Sequence, residues 1–157
     1  MNILVIHLAK TQDKCVYQLV QKYVERSKKM FSVEYKEVDV PKKFSKLPVN
    51  ELKKREGELI LKNLQASDYV VLLDEKGKKF SSVEFAEYIA KKMSASVKRL
   101  VFVTGGAYGF SEEMYKRAHD KISLSPMTFS HQVVRLVFAE QLYRALTIIK
   151  GLPYHNE

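Results

Sequence analysis

The chain has 157 residues, 46% of them hydrophobic, which suffices for one domain with a sizeable core and is too apolar for a disordered protein. Only 6 Gly and 4 Pro exclude a collagen-like or low-complexity chain. The 27 Lys and Arg against 18 Asp and Glu leave a formal charge of +9, which points to a polyanionic partner, nucleic acid ahead of a membrane surface. A solvated basic surface would carry the same charge. Cys15 is the single cysteine, which excludes an intramolecular disulfide, a thiolate zinc site and an iron–sulfur cluster. It falls in an amphipathic helical stretch, where a buried thiol is expected.

In chain order, Asn2 to Leu8 is a continuous apolar run, read as a strand buried on both faces. The N-terminus lacks the basic and long apolar regions of a signal peptide. No run approaches the roughly 20 apolar residues of a membrane span, so a soluble, cytoplasmic protein with no membrane partner is expected. Asp13 to Met30 places Val16, Leu19, Val20, Tyr23 and Val24 on one helical stripe. Ser32 to Val40 alternates as a half-exposed strand. Pro41 to Pro48 is a basic, proline-bounded loop, and a helix follows from near Asn50 to about Leu64, weakened at Gly57.

Tyr69 to Leu73 reads as a second buried strand. Ser81 and Glu84 form a capping box for a helix carrying Phe85, Tyr88, Ile89 and Met93. Arg99 to Thr104 is a third buried strand. Ser111 caps a helix to about His119, Ile122 to Ser125 is a short strand, and the longest helix runs from Phe129 or Ser130 to Lys150. Strands alternating with helices, the central strands apolar throughout, predict an α/β fold: a single domain, residues 1–157, with a mostly parallel sheet flanked by helices.

The sequence contains no P-loop, no H-E-x-x-H pair and no G-x-S-x-G elbow. The turn after the first strand has no glycine, unlike a dinucleotide-binding domain. Widely spaced His7, His119, His131 and His155 predict no metal site. The glycines cluster late, in Thr104-Gly105-Gly106-Ala107-Tyr108-Gly109, where backbone can approach a ligand closely or simply turn from strand to helix. Leu124-Ser125-Pro126-Met127-Thr128-Phe129 is stiffened by Pro126, which suits a ligand cradle or a plain connector.

The last helix is apolar nearly all round, more than one sheet contact needs, which predicts burial in a core or between subunits; in the second case it would carry a homodimer. Glu140 and Arg144 form an i, i+4 pair, which helix stabilisation alone would explain. His131 and Arg135 share a face near the helix start, where two cations oppose the helix dipole; beside a carboxylate or phosphate such a pair makes sense. The tail Pro153-Tyr154-His155-Asn156-Glu157 reads as frayed, with Tyr154 and His155 a weak functional signal.

The runs Phe102 to Gly109 and Leu124 to Arg135, with Glu140-Gln141-Leu142-Tyr143-Arg144-Ala145 and Pro153-Tyr154-His155, closely resemble the RlmH family of SPOUT-class methyltransferases. The similarity extends over essentially the whole chain, including the turn Leu72 to Gly77. Ser130 departs from the family's usual proline, where serine can serve as a helix cap, and Ala107 stands at a variable loop position. The resemblance implies a deep trefoil knot in the C-terminal part, a homodimer, and S-adenosylmethionine as methyl donor. It implies as acceptor N3 of a pseudouridine in the helix-69 stem-loop of 23S ribosomal RNA, on the ribosome. By the family's pattern Leu73, Gly105 and Leu124, Ser125, Pro126, Met127, Thr128 and Phe129 line the donor pocket, with Gly106 in the facing glycine wall.

For the chemistry, His155 is the expected base for the N3 proton, with Tyr154 beside it, both reaching the partner subunit's site. Arg135 or Arg144 would hold a phosphate or an imide oxygen, with His131 at the helix start. Two rival readings are a SPOUT enzyme acting on transfer RNA and a non-catalytic basic RNA-binding module; donor binding would separate the second from an enzyme.

Overall fold

The computed structural model describes residues 1–156, so Glu157 of the tail lies outside the described residues. Five strands, β1 (Asn2–Leu8), β2 (Val33–Val38), β3 (Tyr69–Lys79), β4 (Arg99–Thr104) and β5 (Asp120–Ser123), form one parallel sheet in the order β2-β1-β4-β3-β5. Helices α1 (Lys14–Lys28), α2 (Val49–Leu61), α3 (Ser82–Ser94), α4 (Glu112–Arg117) and α5 (Val133–Lys150) cover both faces, with a short 3-10 helix at Lys42–Lys46.

The apolar runs are explained by which face each residue meets. Ile3, Val5, Val71 and Phe102 point into a core with Phe85 and Ile89 of α3 and Phe138, Leu142 and Leu146 of α5. Their neighbours Leu4, Ile6, Val70, Leu72, Val101 and Val103 point the other way, onto Ile60 of α2 and Phe110 and Met114 around α4. A strand covered on both sides has no solvent face, so it shows no polar alternation.

Local signals place the helix starts. Asp13 accepts from the Val16 amide, Ser111 from that of Met114, and Ser81 with Glu84 closes the reciprocal box. Other boundaries shift. β3 runs six residues past Leu73, because Lys78 and Lys79 re-pair with Ile122 and Ser123 beyond a bulge. β5 starts at Asp120, earlier than its apolar pattern suggests, and α2 ends at Leu61. α5 begins only at Val133; Ser130 Oγ accepts from the Val133 amide (3.2 Å), so the serine serves the helix entry from outside the helix.

One packing expectation needs correction. Cys15 is exposed, because it sits in the first turn of α1 on the side away from Val20 and Val24. Of the two burials expected for α5, the structure shows the first: it lies between α1 and α3 on the sheet, where its own chain takes up Phe138, Ala139, Leu142, Ala145 and Leu146. Among the described residues, no helix is long and apolar enough to cross a membrane.

Candidate functional site

β3 and β4 reach the same edge of the sheet together, Leu73 paired with Thr104. Three segments converge there: the turn at Asp74–Lys76, the glycine loop after β4, and the loop from Leu124 to His131 before α5. They enclose a cavity of about 570 Å³, the size of a small-molecule site. In parallel α/β sheets the carboxyl ends of strands are where ligands are received.

Two glycines of this wall pack closely against side chains. A Cβ on Gly105 would stand 3.1 Å from the Phe110 ring, and one on Gly106 would stand 2.6 Å from Glu56 Oε2. Gly109 adopts φ 79° and its amide donates to the Gly106 carbonyl (3.1 Å), a tight turn that glycine adopts at no steric cost. The opposite wall is shaped by serines: Ser123 Oγ donates to the Ser125 carbonyl (2.9 Å) and the Met127 amide donates to Ser125 Oγ (2.9 Å). Leu73, Gly105, Gly106, Leu124, Ser125, Met127, Thr128 and Phe129 all line the cavity. Pro126 does not; it constrains the backbone of the wall without forming it.

Several wall residues were not singled out by sequence reasoning. Asp74 accepts from the Lys76 amide (2.8 Å) and from the Tyr115 hydroxyl (2.5 Å), closing one side of the cavity. Burial first, and this bond second, push the Tyr115 hydroxyl up to about 12. Thr104 carries its hydroxyl 2.8 Å from Nδ1 of His7, a buried imidazole whose Nε2 has no partner. Lys53 reaches the rim from α2. Asp74 and Lys76 stood in a turn already notable for its resemblance; Lys53 had no local signal.

The residues expected to carry the chemistry fall into two places. His131 is exposed at the cavity rim. Arg135 is 1% exposed and does not face the cavity, contrary to its expected phosphate-holding role. Its guanidinium donates to the Leu8 carbonyl (2.6 Å), the Ala9 carbonyl (3.0 Å), Thr11 Oγ1 (2.9 Å) and the His131 carbonyl (3.0 Å), with Glu37 at 3.6 Å. These bonds tie the start of α5 to the turn after β1 and remove the two-cation face inferred from the i, i+4 spacing.

Arg144, Tyr154 and His155 gather at the far end of α5. Arg144 Nη2 pairs with Glu140 at 2.5 Å, and its guanidinium lies 4.7 Å from the centre of the Tyr154 ring. The Tyr154 hydroxyl donates to Glu140 (3.1 Å), and its ring meets Tyr143 edge-on at 4.7 Å. Tyr154 and His155 are therefore packed, not frayed. Arg144 Nη1 stands 3.4 Å from His155 Nδ1. A guanidinium only donates, so Nδ1 is the acceptor side of this contact, and Nε2 is buried without a partner among the described residues. Ten residues of helix, about 15 Å, separate Arg144 from Val134 at the cavity, so Tyr154 and His155 do not line the cavity of their own chain.

A family model described as "Predicted SPOUT methyltransferase" matches residues 1–155. The chain is 54% identical over 156 residues to a ribosomal RNA large subunit methyltransferase H of Christiangramia forsetii, covering 99% of each chain. Proteins of the same name from Parabacteroides distasonis and Bacteroides thetaiotaomicron are 50% and 46% identical over 157 residues, covering all of both chains. The parallel sheet, the cavity at the carboxyl ends of β3 and β4, and this full-length similarity agree: the chain belongs to the SPOUT methyltransferase family, whose C-terminal part forms a trefoil knot.

Proposed function

We propose that this protein transfers the methyl group of S-adenosylmethionine to N3 of a pseudouridine in the helix-69 stem-loop of bacterial 23S ribosomal RNA, in the cytoplasm and on assembled ribosomes. The observation that carries this reading is the cavity itself, walled by the segments the family uses for its donor, in a chain similar over its full length to large-subunit RNA methyltransferases. The walls suit such a donor. Gly105 and Gly106 line the cavity with bare backbone, and the loops offer both backbone polar groups and the apolar side chains of Leu73, Leu124 and Phe129.

When bound, the donor supplies an electrophilic sulfonium methyl: the N3–carbon bond forms as the sulfur–carbon bond breaks, and the N3 proton leaves. Leu73, Gly105, Gly106, Leu124, Ser125, Met127, Thr128 and Phe129 bind and orient, with Pro126 holding the loop. Positioning is the main lever, on the order of 7–11 kcal/mol for well-oriented partners. His131 stands at the rim where the acceptor enters. Arg135 acts as a positioning residue, fixing the start of α5 and with it the end of the Leu124–His131 wall.

In this reading the protein works as a homodimer in which the tail of one chain completes the cavity of the other. Supporting this are the distance of the packed tail from its own cavity and the exposed Tyr17, Leu19 and Val133 on α1 and α5. Arg144 stands beside His155, whose Nε2 is buried within its own chain, so in this reading the imidazole turns outward to meet an imide oxygen of the acceptor. To act instead as the base, the imidazole must leave Arg144. A mixed dimer of one tail-deleted chain and one Gly106→Val chain separates the arrangements. Its intact donor pocket lies beside the intact tail if tails act across the interface, giving about half activity, and beside the deleted tail if they act in cis, giving none. The function itself is tested by labelled methyl transfer to ribosomes and to transfer RNA, followed by nucleoside analysis. Label in transfer RNA alone, or donor binding without transfer to either, would replace the reading.

A further inference from the structure

The charge of the molecule is concentrated. Between Pro41 and Arg55 stand Lys42, Lys43, Lys46, Lys53, Lys54 and Arg55 against Glu51 alone, so a tenth of the chain carries five of its nine net charges. Arg55 is neutralised by Glu51 and Glu58. The five lysines form no ion pair among the described residues, and Lys42, Lys43 and Lys46 are all exposed. Unpaired lysines on a free coil would mean little. These are preorganised: the 3-10 helix that carries them is entered from Pro41 and left through Pro48, with φ −57° and −55°. Its partly buried Phe44 and Leu47 turn inward and leave the lysines outward.

Topology puts this shelf on the same edge of the sheet as the cavity. In a parallel sheet every carboxyl end is on one edge; Val38 pairs with Leu8, and His7 with Thr104. The segment leaves β2 from the edge where the cavity opens, two strand spacings from β4, roughly 10 Å. α2 then starts at Val49 and delivers Lys53 to the cavity rim. The lysines therefore lead along one edge to the mouth of the site.

We propose that Lys42, Lys43 and Lys46 form a docking shelf for the phosphate backbone of the RNA whose base enters the cavity, an inference that rests on the RNA methyltransferase reading above. Lysine recognises a phosphate as a point charge without reading sequence, so the shelf supplies affinity and register while the cavity supplies chemistry. Each neutralised phosphate contributes about 0.7–0.9 to the slope of log affinity against log salt. Removing all three lysine–phosphate pairs should lower the slope by about 2–3 and weaken RNA binding on the order of 100-fold at 0.1 M salt, the difference vanishing toward 1 M.

The test compares the triple variant Lys42→Ala, Lys43→Ala, Lys46→Ala with an equal-charge control, Lys29→Ala, Lys91→Ala, Lys98→Ala, whose lysines are exposed near the amino-end edge of the sheet. Affinity for ribosomes and for a large-subunit RNA stem-loop is measured from 0.05 to 0.5 M salt, with S-adenosylmethionine affinity and melting temperature read alongside. The shelf predicts that only the first variant loses RNA affinity and slope, with donor affinity and melting temperature retained. Equal losses in both variants would reduce the effect to net charge and overturn the proposal, as would an unchanged slope in the first. A patch-dependent binding to anionic vesicles with none to RNA would overturn it in favour of a membrane surface. If the wild-type protein binds RNA through the shelf yet transfers no methyl group, the functional reading falls and the shelf stands.

Discussion

Replacing Arg135 tests most directly what the fold does with a residue that its spacing alone presents as a ligand-binding cation. The side chain is 1% exposed and satisfies two main-chain carbonyls of the turn after β1, Leu8 and Ala9, together with Thr11 Oγ1 and the His131 carbonyl. Ala9 sits at φ 64°, a left-handed conformation that costs an alanine about 1–2 kcal/mol, and the guanidinium holds the carbonyl of that residue. Arg135→Ala deletes the donors, strands buried acceptors at about 1–3 kcal/mol each, and opens a void beside β1. Water can reach Thr11, and removal of the charge relieves its desolvation. The net expectation is therefore a loss of about 3–5 kcal/mol, a fall in melting temperature on the order of 10 °C at this chain length. Arg135→Lys should lose most of the same stability, since one ammonium cannot span four acceptors arranged for a planar fork. Urea unfolding with both variants gives the numbers. A loss below about 1 kcal/mol combined with weakened RNA binding would refute the structural role and restore Arg135 as a phosphate ligand.

Three further outcomes follow from particular sites. Burial first, and the Arg135 charge second, push His7 down to about 3 from 6.5, so the neutral ring is required in the fold. Because the folded value lies below the unfolded one, stability is unaffected above pH 6.5 and falls below it by about 1.4 kcal/mol per pH unit; urea midpoints of His7→Asn should lose this acid slope, and parallel curves for variant and wild type between about pH 6.5 and 4.5 would contradict it. Burial raises the Asp68 carboxyl, but bonds from Arg99 (2.7 and 2.6 Å) and the Gln65 amide, with the charges of Arg99 and Arg117, outweigh it and leave it lowered. Its contribution is therefore full above the unfolded value of about 3.9 and lost as the pH falls from there through the lower folded value, so Asp68→Asn should cost about 2–4 kcal/mol at pH 7 and converge with wild type in acid; a pH-independent gap would exclude the ion pair as the cause. A Cβ on Gly77 would stand 2.5 Å from the Ile122 amide nitrogen, backbone against backbone, whereas Gly109 faces open space and demands only a positive φ. Gly77→Ala should be the more damaging in denaturation, by several kcal/mol against about 1–2 for Gly109→Ala, and the reverse order would mean that β3 and β5 do not approach as described.

The strands and helix starts were legible because their causes are local. A strand covered on both faces is apolar throughout, and a cap is a side chain bonded to an amide two or three residues on, as at Asp13, Ser81 and Ser111. The cavity walls were legible for a related reason: closely approached backbone requires Gly105 and Gly106, a stiff connector requires Pro126, and their runs resemble a known family. Sequence spacing placed His131 and Arg135 on one helix face but said nothing of the turn that faces them, 126 residues away at Ala9, which takes the guanidinium inward. It put Cys15 in a helix without saying which side of that helix the sheet covers. Nor did it bring Lys53 to the cavity rim or fold Tyr154 onto Glu140 and Arg144. Local conformation is decided by a residue and its near neighbours, whereas the employment of a charged side chain is decided by whatever the tertiary fold places opposite it, and here only the parallel stacking of β2, β1, β4, β3 and β5 determined that.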